Sequence, residues 1–311
     1  MGNEYAFSTS YGKLRVPIYR VYARPLLGVE PIPESQYSGS KNILFAYEID
    51  VEVLGENFLP AYTHGDNSNV VATDSMKNFV IREALTFEGA TLEEFLDTLG
   101  HHFLETYAQM QRLRLTGREL PFAPTTVPEA DEFTQSAVLF QRTHTDYATA
   151  TLTFERIDGV PALINHRCGR LGLELFKVTG SAFSRFVRDE YTTLAERVDR
   201  PLFIYLDAYW KYSDAQTLLA LDHGQYVPAE QLRDLIQVVF HEFVSESIQH
   251  LVHEMGIRIL SRYPQLTEVS FEAQNRTRDV FVTSESDEKV KVYSDPFSAY
   301  GIITLTVNRQ S

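Results

Sequence analysis

His241 and Glu242 open like a helix-borne zinc site, in which two histidines four residues apart hold the metal and the glutamate works on a bound water. Here the fifth position is Ser245, so the second ligand is missing. His250 and His253 are three apart, but His241 precedes His250 by nine residues, about 180° around an α-helix. No shared zinc site is expected. The chain also lacks a G-x-S-x-G elbow, a Walker loop and a G-x-G-x-x-G turn, so the common hydrolase, nucleotide and dinucleotide devices are absent from the sequence. What remains is the stretch Gly65-Asp66-Asn67-Ser68-Asn69-Val70-Val71-Ala72-Thr73-Asp74-Ser75-Met76-Lys77-Asn78. Polar turn residues give way to a short apolar run, and Thr73, Asp74 and Ser75 then crowd the start of an expected helix. These residue types routinely cap helices. They also hold anionic ligands through hydroxyls and helix-start amides, and composition does not separate the two readings.

The elements that must position such residues are legible in the periodicity. Ala148, Ala150, Leu152 and Phe154 alternate with Thr149, Thr151, Thr153 and Glu155, the pattern of a strand with one buried face. Two-residue alternation also runs through Leu14, Val16 and Ile18, through Ile204, Leu206, Ala208, Trp210 and Tyr212, and through Ile303, Leu305 and Val307. Alternation rather than continuous apolar runs predicts antiparallel strands. Leu92, Phe95, Leu96, Leu99, Phe103 and Tyr107 recur at helical steps, and Thr91 with Glu94 forms a capping box. A second helical pattern from Leu232 to Ile259 is too long for one ordinary helix, so a break is expected near 244–247. The predicted order is strands at 12–24 and 43–56, a helix pair at 75–107 and strands at 110–117 and 136–157. The second half repeats it, with strands at 169–180 and 202–213, a helix pair at 228–263 and strands at 267–283 and 300–308. The expectation is an α+β fold in which one unit, helices on one face of a four-stranded antiparallel sheet, occurs twice, over 1–160 and 161–311, as one continuous sheet.

The chain has 311 residues, with 42 acidic against 28 basic side chains and a formal charge of −14, a balance that argues against a phosphate-gripping nucleic-acid binder. The one cysteine, Cys168, forms no internal disulfide or thiolate metal site. No apolar stretch is long enough to span a membrane, the N-terminal residues lack a signal core, and the C-terminal Gln310-Ser311 is not a peroxisomal address. A cytoplasmic protein without nucleic-acid or membrane partners is expected.

The run Val70-Val71-Ala72-Thr73-Asp74-Ser75-Met76-Lys77-Asn78 closely resembles a signature of the urate oxidase (uricase) family. Tyr11-Gly12-Lys13 on the first strand resembles the family's lysine strand. Phe186-Val187-Arg188-Asp189-Glu190-Tyr191-Thr192-Thr193-Leu194 resembles a second signature, followed by Asp199-Arg200. Ser247-Ile248-Gln249 and Gln274-Asn275 fall where the family places further ligand contacts. Each match is modest alone, but they occur in the family's order from residue 11 to residue 275. The resemblance implies tandem tunnelling-fold repeats, assembly as a homotetramer with active sites at subunit interfaces, and conversion of urate, O2 and water to 5-hydroxyisourate and H2O2 with no metal or organic cofactor.

The resemblance also assigns roles. Lys13 and Thr73 become the catalytic pair, the lysine accepting a proton through the threonine hydroxyl, as an amine withdrawn from water among other cations is able to do. Asp74 offers its backbone amide, and its carboxylate lies near the substrate. Phe183 stacks on the purine, Arg200 presents a guanidinium fork to one edge, and Gln249 closes the opposite edge. Ile248 contributes through its backbone, and Asn275 faces the position of O2 or water above the ring. Lys13 and Thr73 come from one subunit and Phe183, Arg200 and Gln249 from its neighbour. Two departures stand out. Ile248 replaces the usual valine, and Thr277 stands where many members carry a relay histidine; a hydroxyl passes a proton but does not hold one near neutral pH. His144 is a strand-end hydrogen-bonding residue that offers an alternative relay. Without the resemblance, Lys13 reads as a solvated strand lysine, Phe183 as a core aromatic, Arg200 as a surface ion-pair partner, Gln249 as a polar face residue and Asn275 as a turn residue. Another tunnelling-fold purine or pterin enzyme, or a non-catalytic purine-binding oligomer, are the competing functions.

Overall fold

The computed structural model describes residues 5–276, 278–294 and 299–309, and Thr277 lies outside them. In chain order the elements are β1 (Ser10–Val21), β2 (Leu44–Leu54), α1 (Leu59–Thr63), α2 (Thr73–Thr86), α3 (Leu92–Thr106), β3 (Arg112–Glu119), β4 (Phe122–Glu129), β5 (Glu132–Arg142) and β6 (Tyr147–Ile157). They continue with β7 (Val160–Lys177), β8 (Leu202–Tyr212), α4 (Ala215–Leu218), α5 (Ala229–Glu242), α6 (Ile248–Arg262), β9 (Leu266–Asn275), β10 (Asp279–Thr283), β11 (Lys291–Ser294) and β12 (Gly301–Asn308). The fold is α+β, and its strand-strand-helix-helix-strand-strand plan occurs twice, each time with an extra hairpin before the last strand. Two units separate by packing: one holds the chain up to Glu30, Ser38–Cys168 and Asp214–Tyr226, the other Pro31–Tyr37, Gly169–Ser213 and the chain from Val227. Among the described residues no helix is long and apolar enough to cross a membrane.

In the first unit β1, β2, β3 and β6 neighbour one another in that order, all antiparallel. Ile49, Val51 and Val53 of β2, Leu113 and Leu115 of β3 and Ala150, Leu152 and Phe154 of β6 face one way, and all are fully buried. They meet Met76 and Val80 of α2 and Phe95, Leu96, Leu99 and Phe103 of α3 in one core. The capping box forms as the sequence predicts: Thr91 accepts from the Glu94 amide while the Glu94 carboxylate accepts from the Thr91 amide. The opposite sheet face carries Arg114 on Glu52 at 2.9 Å and Thr116 on Thr151 at 2.9 Å, both in register, and Arg118 on Asp50 at 2.7 Å, a diagonal pair. In the second unit β8, β9 and β12 are antiparallel neighbours, and α6 packs on β9 and β12. Along β8 burial alternates without exception from Leu202 to Tyr212, although the apolar run there set the inward face correctly from Ile204 onward. The expected helix break is present, since α5 ends at Glu242 and Ser247 caps α6 by accepting from the His250 amide.

Three local expectations are corrected. The span 136–157 is two strands interrupted at 143–146, and 267–283 likewise divides into β9 and β10. None of the described residues of the hairpins β4–β5 and β10–β11 is buried, so no alternation of buried and exposed positions marks them in the sequence. The third correction concerns β1, where the sequence places Leu14, Val16 and Ile18 on one inward face. Val16 and Ile18 are buried, but Leu14 is 65% exposed. The pairing runs Lys13 to Val51 and then Val16 to Ile49, so two residues, Leu14 and Arg15, oppose Asp50 alone. This β-bulge puts Arg15 at φ 57°, in the left-handed region, with its amide donating to the Asp50 carboxylate at 2.7 Å. The extra residue reverses the parity of the strand, and Lys13 turns to the face that carries Val51 and the helices. Just before it, a Cβ at Gly12 would stand 1.9 Å from the Val51 carbonyl oxygen, a backbone approach open only to glycine.

Candidate active site

Two groups of residues singled out in the sequence fall in separate units. The first is built on β1 and the start of α2. Val71 is buried in the core, and its amide donates to the Tyr11 phenol oxygen at 3.0 Å, which fixes the chain just before the helix. Tyr11 itself leans edge-on against Phe58, ring centres 5.1 Å apart, and burial pushes its hydroxyl above the ordinary tyrosine range. The helix then begins at Thr73, with Ala72 as its N-cap and no side-chain cap bond. Capping therefore does not account for the cluster of Thr73, Asp74 and Ser75. These residues occupy the first turn itself, where the leading amides lack intrahelical acceptors and the helix dipole favours negative charge. Thr73 is half-buried.

The Asp74 carboxylate is exposed and bonded within its own helix. It accepts from Lys77 at 2.6 Å and Asn78 at 2.9 Å, and those contacts, the lysine first, hold it below the usual carboxylate range. Lys13 is half-buried, and its charge is one of the influences that hold the Asp74 carboxyl low. His144 sits in the turn between β5 and β6 with Nδ1 2.7 Å from the Asp146 carbonyl oxygen, the strand-end bonding the sequence suggests.

The second group gathers around a hollow of about 140 Å³ lined by Phe183, Leu194, Arg200, Ile248, Gln249, Asn275, Gly301 and Ile303. Five of these residues are the ones picked from the sequence. Leu194, Gly301 and Ile303 were missed as lining; Leu194 closes the second signature, while Gly301 and Ile303 sit on β12 and carry no chemical mark. The walls converge through backbone bonding. The segment after β7 folds back through the pair Phe183–Arg197, whose amides donate to each other's carbonyls at 2.8 and 2.9 Å. The Ala182 amide donates to the Ser245 carbonyl at 2.7 Å, tying this segment to the α5–α6 break from which Ile248 and Gln249 emerge. The Arg200 amide donates to the Ser181 carbonyl at 2.8 Å. Beside it, Asp199 accepts from the Thr179 hydroxyl at 2.7 Å and the Gly180 amide at 2.8 Å, contacts that hold its carboxyl below the ordinary range.

Arg200 is the electrostatic centre of this hollow. Its guanidinium lies 5.3 Å from the Phe183 ring centre, and burial first, then the neighbouring Arg197, disfavour its charge. Its Nε is buried with no hydrogen-bond partner among the described residues. A buried cationic donor without an acceptor costs stability, and an acceptor-bearing anion in the hollow would relieve it. Phe183 is stacked on one side by Phe186 at 4.9 Å and an interplanar angle of 13°. Asn275 ends β9, opposite Ile204 and Gly301. The next residue, Arg276, is clamped between Tyr205 and Tyr300, 4.8 and 3.7 Å from their ring centres, and donates to Gln274 at 2.7 Å. That clamp fixes the strand end beside Asn275, and nothing in the sequence marks it.

Comparison with known proteins gives the same direction. The Uricase family model matches residues 46–151 and 166–304. A uricase of Haloferax volcanii is 44% identical over 302 residues, a match covering 96% of this chain and 98% of that protein. The uric acid degradation bifunctional protein PucL of Bacillus subtilis is 44% identical over 301 residues, 97% of this chain but 61% of that protein, so the chain spans about three fifths of its length. The crystal structure of Bacillus sp. TB-90 urate oxidase matches with a TM-score of 0.94 at 42% identity, covering 97% of this chain and 100% of the other. With the family model spanning most of the sequence and relatives above 40% identity along nearly all of it, this chain belongs to the uricase family.

Proposed function

We propose that this chain is the subunit of a urate oxidase, oxidising urate with O2 and water to 5-hydroxyisourate and hydrogen peroxide in purine breakdown, without a metal or organic cofactor. The observation that carries the reading is the half-buried Arg200 guanidinium, whose buried Nε has no partner among the described residues, set beside an aromatic ring in a small hollow. A planar purine anion supplies what that arrangement lacks: an acceptor edge for the fork and a flat face for Phe183. Gln249 meets the opposite edge with its amide, Ile248 offers its backbone, and Asn275 stands over the ring where O2 or water reacts. Lys13 takes the substrate proton through the Thr73 hydroxyl, and the Asp74 amide with the open first turn of α2 favours the anion that results. The Asp74 charge beside Lys13 is countered by Lys77. Two electrons leave urate for O2, water supplies the new hydroxyl, and two protons complete the peroxide.

Phe183, Arg200 and Gln249 lie in one unit and Lys13 and Thr73 in the other. We read the complete site as shared between neighbouring subunits of a cytoplasmic homotetramer built from the repeats 1–160 and 161–311. The deciding experiment follows loss of urate absorbance together with O2 uptake and peroxide release, with and without a chelator. Equal turnover in both supports the reading. Tight urate binding without turnover makes this a purine-binding protein, and chelator sensitivity removes cofactor independence.

A further inference from the structure

The residues that carry out proton transfer in the proposed reaction sit on two different elements, a strand and a helix start, and their separation has to be set by something. The loop that leads into the helix, 64–72, is polar and exposed over most of its length. Its internal bonds are short-range turns, Ser68 amide to Asp66 carboxylate at 3.0 Å and Val70 amide to Asn67 carbonyl at 3.0 Å, which shape the loop without fixing it to the strand. One bond does fix it. The Val71 amide, two residues before Thr73, donates to the phenol oxygen of Tyr11, two residues before Lys13. Tyr11 pairs with Val53 and Lys13 with Val51, so both side chains stand on the same face of β1. The phenol ring cannot wander, because its edge is held against Phe58, itself buried.

We propose that Tyr11 is a positioning residue for the proposed oxidation, its hydroxyl holding the 71–73 backbone so that Thr73 stays in register with Lys13. The inference rests on the functional reading above for its kinetic consequence, and its structural half is independent of it. In this role Tyr11 acts through Thr73, by way of the Val71 amide. Tyr11→Phe removes the acceptor and keeps the ring on Phe58. The loss of one neutral hydrogen bond, about 1 kcal/mol, corresponds to a decrease of kcat/KM of roughly 3- to 10-fold. Exchange of the Val71 amide should accelerate by a similar factor while amides of α3 keep their rates.

The separating measurement is a double-mutant cycle. If Tyr11 works through Thr73, Tyr11→Phe changes kcat/KM less than twofold once Thr73→Ala is present. Full additivity of the two losses, or unchanged kinetics in Tyr11→Phe, overturns the inference, as does unchanged exchange at Val71. Should the parent chain prove unable to turn over urate, the functional reading fails by itself, and the exchange rate at Val71 still decides whether the phenol holds this loop.

Discussion

Replacing Arg200 by lysine keeps the charge and removes the fork, and the structure sets the size of the effect. In the folded chain the guanidinium is half-buried, and its Nε is withdrawn from water with no acceptor among the described residues. The desolvation cost therefore belongs to folding, and a substrate acceptor arriving at Nε contributes close to a full charge-assisted hydrogen bond. Such bonds are worth about 1.5–3 kcal/mol each. Lysine retains one direction of donation and loses the second, parallel bond that a planar fork provides. At about 1.4 kcal/mol per tenfold, Arg200→Lys should weaken urate binding roughly 10- to 150-fold. The measurement is an anaerobic titration of urate followed by its ultraviolet difference spectrum, since exclusion of O2 prevents turnover. Salt should alter the difference little, because buried pairs are poorly screened. The same substitution should leave the unfolding midpoint nearly unchanged, as the Arg200 contact to Ser181 is made by the backbone. Affinity within threefold of the parent chain would refute the fork. A large drop in the unfolding midpoint would instead make Arg200 a structural arginine.

Lys13→Met should reduce kcat by roughly 100-fold or more, the scale of general-base catalysis, with KM moving far less; unchanged turnover removes Lys13 from the mechanism. Mixed oligomers of Lys13→Met and Arg200→Ala chains should regain turnover, since some interfaces then join an intact Lys13 to an intact Arg200, and no recovery on mixing would exclude a shared site. Gly12→Ala places a Cβ 1.9 Å from the Val51 carbonyl oxygen and should cost about 1–3 kcal/mol in denaturant unfolding, because backbone rather than a flexible side chain blocks it. A midpoint equal to the parent's would mean that β1 shifts freely at this position.

Wherever a residue's environment depends on its own periodicity, the sequence was a sufficient guide. Ile204 to Tyr212, Ala150 to Phe154 and the Thr91–Glu94 box adopt the faces and caps that their spacing predicts, because burial of alternate or every third to fourth side chain is a local consequence of strand and helix geometry. The hairpins β4–β5 and β10–β11 were not told apart from β6 and β9 for the complementary reason: with none of their described residues buried, no burial pattern was imposed on them. Arg276 illustrates a further gap, since its place between Tyr205 and Tyr300 joins residues far apart in the chain.

The sequence by itself determined the α+β class, the doubled plan, and, through ordered motif matches from residue 11 to residue 275, the family. Tertiary structure decided what those motif residues face. Simple alternation buries Leu14 and leaves Lys13 in solvent, and only the bulge opposite Asp50 reverses that parity and turns Lys13 toward the helix side. Likewise, the composition of 73–75 fits capping as well as ligand binding, and only the helix start at Thr73, with Ala72 as an idle cap, leaves those amides open. The first outcome is set by strand pairing across distant segments, which no local pattern encodes.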